Sequence, residues 1–142
     1  MSKKSGQIAQ RIESFRGQDL DAHYLGFFDC FNRQLFYEAH DVLEELWLAD
    51  RRGLNGDFYK GLIQLAGAFV HLQKDRLRPA GALFQLARCN LAKYGPVHER
   101  LAVPVVIELI DRWQRWLEAS QFSTNPLNRR PGPGLRLLPD RD

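Results

Sequence analysis

The stretch Asp57-Phe58-Tyr59-Lys60-Gly61-Leu62-Ile63-Gln64-Leu65-Ala66-Gly67-Ala68-Phe69-Val70-His71-Leu72-Gln73-Lys74 decides the fold class. Its apolar residues recur at three and four positions and occupy nearly the whole circumference, leaving a narrow polar strip of Lys60, Gln64 and His71. A surface helix keeps one polar side, so a helix that is apolar almost all round belongs in the middle of a bundle. The spacing predicts a central helix over 57–74, capped by Asp57, with Gly61 and Gly67 allowing a neighbour to approach closely.

On either side the same period continues. A helix over 22–33 uses Leu25, Phe28, Cys30 and Phe31, and ends at Asn32 or Arg33, where Asn tolerates the left-handed turn. Another, over 36–50, has Phe36, Ala39, Val42, Leu43, Leu46 and Trp47 on one arc. Residues 79–94 open on Pro79 and stop before Gly95-Pro96, and residues 104–121 open on Pro104, as helix termini favour. Strand-like alternation is absent, and the short connections imply antiparallel neighbours. The expected fold is all-α, a compact antiparallel bundle of five or six helices. Residues 1–21 form a partly helical N-terminal segment, 22–122 the bundle domain, and 123–142 a tail with four prolines that reads as extended or disordered. Leu135, Leu137 and Leu138 give that tail an alternative, as an arm across a neighbouring subunit.

At 142 residues and 44% apolar composition, one core can form without a disulfide or structural metal. Cys30 and Cys89 are far apart in apolar surroundings and read as reduced core thiols of a cytoplasmic protein. No apolar run reaches the roughly 18 residues of a membrane span, and the first residues lack a secretion signal's apolar segment. The net charge of +3 invites nucleic acid as a partner, but its distribution argues against that. Residues 1–16 carry +3, residues 17–122 carry −2 and residues 123–142 carry +2, so the folded part is weakly acidic. No nucleophile motif, phosphate loop or dinucleotide fingerprint is present.

Chemical density is concentrated in Tyr37-Glu38-Ala39-His40-Asp41-Val42-Leu43-Glu44-Glu45-Leu46-Trp47. At about 100° of rotation per residue, His40 and Glu44 sit one turn apart beside the apolar stripe, while Asp41, Glu45 and Glu38 turn toward the far side. If the 36–50 and 57–74 helices pack through their apolar faces, His40 and Glu44 converge with Gln64 and His71 in one internal pocket. Bundles build metal sites from inward Glu and His, and this donor set suits zinc, manganese or iron. The same four groups also suit a hydrogen-bonded network that serves the fold alone. His23 and His98 stand apart and receive no role. Trp47, Tyr59, Trp113 and Trp116 read as core or subunit interface.

The run Phe31-Asn32, the segment Phe36 to Trp47, and Phe58-Tyr59-Lys60-Gly61-Leu62-Ile63-Gln64-Leu65-Ala66 together resemble the family called domain of unknown function 309. The resemblance covers about half of the chain and implies a small all-helical protein of a group labelled metal-dependent hydrolases on motif grounds. The family's Glu-x-His-Glu-x-x-Glu pattern falls on Glu38, His40, Asp41 and Glu44, and its Gly-Leu-Ile-Gln on Gly61 to Gln64. Asp41 stands where Glu is usual, and its side chain is one methylene shorter.

Two functions are expected from these residues. In the first, His40, Glu44 and His71 hold a divalent metal for hydrolysis of a small-molecule substrate, Glu44 and His40 act catalytically, and Gln64, Glu38 and Tyr37 orient them. In the second, the chain is a non-enzymatic helical interaction module or homo-oligomeric scaffold, and the polar groups are structural.

Overall fold

The computed structural model describes residues 3–139. Six α-helices run through the described residues: α1 (Lys3–Ile12), α2 (Ala22–Asn32), α3 (Phe36–Asp50), α4 (Gly56–Gln73), α5 (Leu77–Leu91) and α6 (Val103–Ala119). Single 3₁₀ turns at Glu13–Phe15 and Pro126–Asn128 follow α1 and α6, and a hairpin of β1 (Val97–His98) and β2 (Leu101–Ala102) lies between α5 and α6. The chain is a packed, mainly α-helical bundle, as its apolar period predicts.

Helix α4 is central because it is apolar on most sides, packing against α3 on one side and α5 on the other. Phe69 is the hub of the core. Its ring centroid lies 4.9 Å from Phe36 on α3, 5.7 Å from Phe31 on α2, 5.2 Å from Phe84 on α5 and 4.9 Å from Trp113 on α6. One residue thus ties four helices to a fifth, and truncating such a side chain costs about 3–5 kcal/mol. Helix α1 docks through Ile8 and Ile12, one turn apart and both buried. Ile12 can approach because Gly26 has no side chain; a Cβ there would lie 2.8 Å from Ile12 Cγ2 and 3.3 Å from Val42 Cγ1.

Helix ends depart from expectation in informative ways. Left-handed residues terminate α2, α4 and α6, but they are Gln34, Asp75 and Gln121, with φ of 65°, 57° and 56°. Each ends its helix with a reversed pair of hydrogen bonds, such as Leu35 N to Cys30 O and Gln34 N to Phe31 O. Asp57 does not cap α4. Asn55 holds the cap position, and Asp57 is drawn instead to Lys93 Nζ at 2.9 Å. Helix α5 begins two residues before Pro79, which still lies in the first turn, where a missing N–H costs nothing.

Two further expectations are corrected. Cys89 is exposed, and only Cys30 is a core thiol; both are free. Burial pushes the Cys30 thiol up. The tail is ordered over its described part and lies on its own bundle. Asn125, buried, donates to Leu72 O at the end of α4, and Leu135 is buried against the core. Backbone polar groups of the tail find partners in Asn32, Gln34 and Arg100, which a composition-based reading cannot see. No helix of the described residues is long and apolar enough to cross a membrane.

Candidate functional site

Helix α3 buries Phe36, Ala39, Val42 and Leu43, which leaves His40 and Glu44 at the edge of its packed face. Their helical spacing brings them together as the sequence predicts: His40 Nε2 lies 3.8 Å from Glu44 Oε2. The other ring nitrogen, Nδ1, lies 3.2 Å from Asp41 Oδ1. His40 is therefore bracketed by two carboxylates. Asp41 was expected to turn away from the core edge, yet its side chain is the most enclosed of the three, 15% exposed against 32% for His40 and 30% for Glu44. The reason is α1, whose Gln7, Ile8 and Arg11 border the same small cavity as Glu38, Asp41 and Val42.

Beside that contact a groove of about 620 Å³ opens between α1, α2 and α3. Gln7, Gln10, Arg11 and Ser14 line it from the N-terminal side, Asp29 and Arg33 from α2, and Tyr37, Glu38 and Asp41 from α3. Apart from the ring of Tyr37, the lining residues are polar or charged, and both signs of charge are present. Arg33 Nη1 is 3.4 Å from Asp29 Oδ2, so part of the lining is held by its own ion pair. Glu38 and Asp41, three residues apart, share this wall by helical spacing. Tyr37 stands beside them, exposed.

The polar strip of α4 takes a different direction. Gln64 Oε1 accepts from Asn90 Nδ2 at 2.8 Å, which commits Gln64 to α5. Gly61 and Gly67 lie on the same side, against Leu91 and Leu83 of α5. His71 is half-buried near the end of α4, and its Nδ1 is enclosed with no hydrogen-bond partner among the described residues. Burial, then the charges of Arg76 and Lys74, hold its imidazole below the ordinary value and favour the neutral form. Among the described residues, no group of three or more His, Cys, Asp or Glu side chains is placed to hold a metal ion. The expected trio of His40, Glu44 and His71 is thus not gathered as a ligand set, and Gln64 is not turned toward it. The apolar faces of α3 and α4 meet as predicted, but the strip lies to one side of that seam.

Residues given no role in the sequence prove to be connected. His23 Nδ1 lies 3.2 Å from Asp21 Oδ1, and Nε2 lies 3.0 Å from Glu45 Oε1 on α3. Asp21 also accepts from His23 N at the start of α2. His98 Nε2 is 2.6 Å from Asn55 Oδ1, with its ring against Phe58 and Tyr94. Asn55 Nδ2 in turn reaches Tyr59 Oη and Glu99 Oε1, both at 3.3 Å, and Tyr24 Oη donates to Glu99 O at 2.9 Å. Burial pushes both phenols up, so both stay protonated, Tyr24 donating to Glu99 O and Tyr59 accepting from Asn55. The contacts that join separate elements in these clusters span 22 to 75 residues, beyond any local spacing rule. The Asp21-x-His23 cap and the Asn55–Tyr59 pair, four residues apart, are the contacts of local spacing.

Residues 24–83 match the family model described as domain of unknown function (DUF309), the family that the motifs resemble. No curated protein and no solved structure matches the chain.

Proposed function

With residues 24–83 carrying the DUF309 domain, we propose that the chain is a non-enzymatic binding module that takes a small zwitterionic molecule in the groove between α1, α2 and α3. The mainly polar lining carries this reading: an apolar guest would find little beyond the Tyr37 ring to bury against, whereas a guest with both charges meets Arg11 and Arg33 as well as Glu38 and Asp29. Ligand pockets normally combine a mostly apolar wall with a few polar groups; this groove departs from that pattern, and what it offers a small solvated metabolite is charge and hydrogen bonds. Two free thiols, one of them exposed, suit a reducing, cytoplasmic setting.

The test is a titration of the ¹⁵N-labelled chain with L-arginine and L-glutamate, followed by amide shifts in α1 and α3. Saturable shifts that vanish in Glu38→Gln and Arg11→Gln support the module. Shifts that do not saturate, or that persist unchanged in both variants, overturn it.

A second reading rests on the bracketing of His40. A ring held between two carboxylates can take a proton from water and pass it on, so hydrolysis with His40 and Glu44 as acid and base is the enzymatic alternative. Hydrolysis of ester or phosphoester probes that His40→Ala and Glu44→Gln abolish supports it; equal rates in all three proteins remove it.

A further inference from the structure

The ordered tail builds a second cavity that differs from the groove in charge. About 230 Å³ in volume, it is lined by Trp116, Ala119 and Ser120 of the α6 end and by Thr124, Pro126, Arg129 and Arg130. No carboxylate lines it, whereas the groove beside α1, the cavity at the α3–α4 loop and that between α5 and α6 each contain at least one. Arg129 and Arg130 make no ion pair among the described residues. Two adjacent guanidiniums beside one cavity repel each other and gain from a shared anion.

The two arginines are also positioned. Upstream, Asn125 donates to Leu72 O at 2.6 Å and accepts from Leu127 N at 3.0 Å, and Arg129 N closes the 3₁₀ turn onto Pro126 O at 3.1 Å. Downstream, Leu135 is pinned to Asn32. Arg130 lies over the Trp116 ring, its Cζ 3.8 Å from the centroid. Stacking uses the flat face of a guanidinium and leaves its N–H edge for an acceptor in the ring's periphery. The Arg130 guanidinium is thus already placed, and the Arg129 backbone is fixed beside it, which lowers the ordering cost when a ligand arrives.

We propose that this cavity is an oxyanion site, in which Arg129 and Arg130 clamp the phosphate or carboxylate group of a small ligand beside Trp116. The volume lies below the roughly 300 Å³ at which pockets for drug-sized ligands begin, so this open cavity has room for a single anionic group and little more. Guanidinium groups recognise such anions through parallel N–H bonds, and Thr124 lines the same wall.

The experiment titrates the full ¹⁵N-labelled chain with inorganic phosphate, sulfate and acetate against chloride at matched ionic strength. The readouts are the Trp116 indole N–H, the Thr124 amide and the Arg129 and Arg130 Nε–H signals. The expected result is saturable shifts at these groups, with at least about tenfold weakening in Arg129→Gln and in Arg130→Gln. Unchanged protection of the Leu135 amide shows that each variant keeps its tail in place. Saturation by phosphate and sulfate assigns a phosphoryl-type ligand, and saturation by acetate alone assigns a carboxylate. Shifts that merely follow chloride, or binding that survives in both variants with the tail docked, overturn the proposal.

Discussion

Asn32 and Leu135 exchange two hydrogen bonds: Asn32 Nδ2 donates to Leu135 O at 2.7 Å, and Asn32 Oδ1 accepts from Leu135 N at 2.7 Å. A side-chain amide here does what the backbone of a neighbouring strand does in a sheet, and it satisfies a residue whose side chain is buried. Asn32→Ala removes both bonds and is expected to cost about 1–2 kcal/mol. Asn32→Asp will not rescue it, because a carboxylate oxygen would then face Leu135 O. Hydrogen exchange at the Leu135 amide checks this directly: fast exchange in both variants is the expected outcome, and retained protection in Asn32→Ala would show that Leu135 packing alone holds the tail.

The α4–α5 contact predicts opposite signs for two glycines of one helix. A Cβ on Gly61 would lie 2.8 Å from Leu91 Cγ and 3.2 Å from Asn90 Cβ, so alanine overpacks a fully buried leucine and displaces the partner of Gln64. That cost, about 1–3 kcal/mol, exceeds the helix gain of about 0.5–1 kcal/mol. At Gly67 the one close atom is Leu83 Cδ1 at 3.2 Å, the end of a half-buried side chain that can rotate aside. Urea midpoints should fall for Gly61→Ala and stay level or rise for Gly67→Ala.

These elements show how far the sequence could be read. The helical period of Phe58, Leu62, Leu65 and Phe69 reports burial directly, so α4 and its central place were legible, as was the pairing of His40 with Glu44 at one-turn spacing. What failed depended on azimuth between helices and on long separations. The strip of Lys60, Gln64 and His71 is correct as a strip, but periodicity carries no information about which neighbour it meets, and Asn90 on α5 claimed Gln64. The period of α3 turns Asp41 toward the far side and carries no information that α1 lies over it there. The two-residue strands of the 97–102 hairpin are too short to show a period. The tail's order rests on Asn32, Gln34 and Arg100, none of which is near it in the chain.

His71 makes stability depend on pH. Its folded-state value is held below the ordinary 6.5, first by burial and then by Arg76 and Lys74. The unfolded chain therefore binds the proton more readily. The resulting stability is fully present above 6.5 and is lost as pH falls below it, until the folded-state value is passed. Replacing His71 with Gln removes the titration, so unfolding midpoints measured between about pH 7 and pH 5 should fall less steeply in the variant than in the native chain. Parallel slopes would assign the acid loss to other groups.

The end of α6 offers a stabilising change. Gln121 and Phe122 both take the left-handed conformation, with φ of 56° and 58°. Gln121 N bonds Glu118 O at 2.9 Å and Phe122 N bonds Leu117 O at 2.8 Å, so this geometry is required to satisfy the last carbonyls. The two residues differ in what their side chains do. Phe122 packs over Gly81, and Arg78 lies 4.9 Å from its ring centroid, so its strain is offset by contacts that glycine would lose. Gln121 is exposed and makes no side-chain hydrogen bond among the described residues. Gln121→Gly should therefore raise stability by about 0.5–1 kcal/mol, a Tm increase of roughly 2–4 °C for a domain of this size. Phe122→Gly should lower it. Glu108→Gly, on the exposed face within α6, sets the scale for glycine where no left-handed turn is needed; with the exposed ion pair to Arg112 at 3.6 Å also lost, it should cost about 1–1.5 kcal/mol. Calorimetry on the three variants decides the matter: a loss in Gln121→Gly comparable to that in Glu108→Gly would mean that residue 121 is not held in the left-handed conformation in solution.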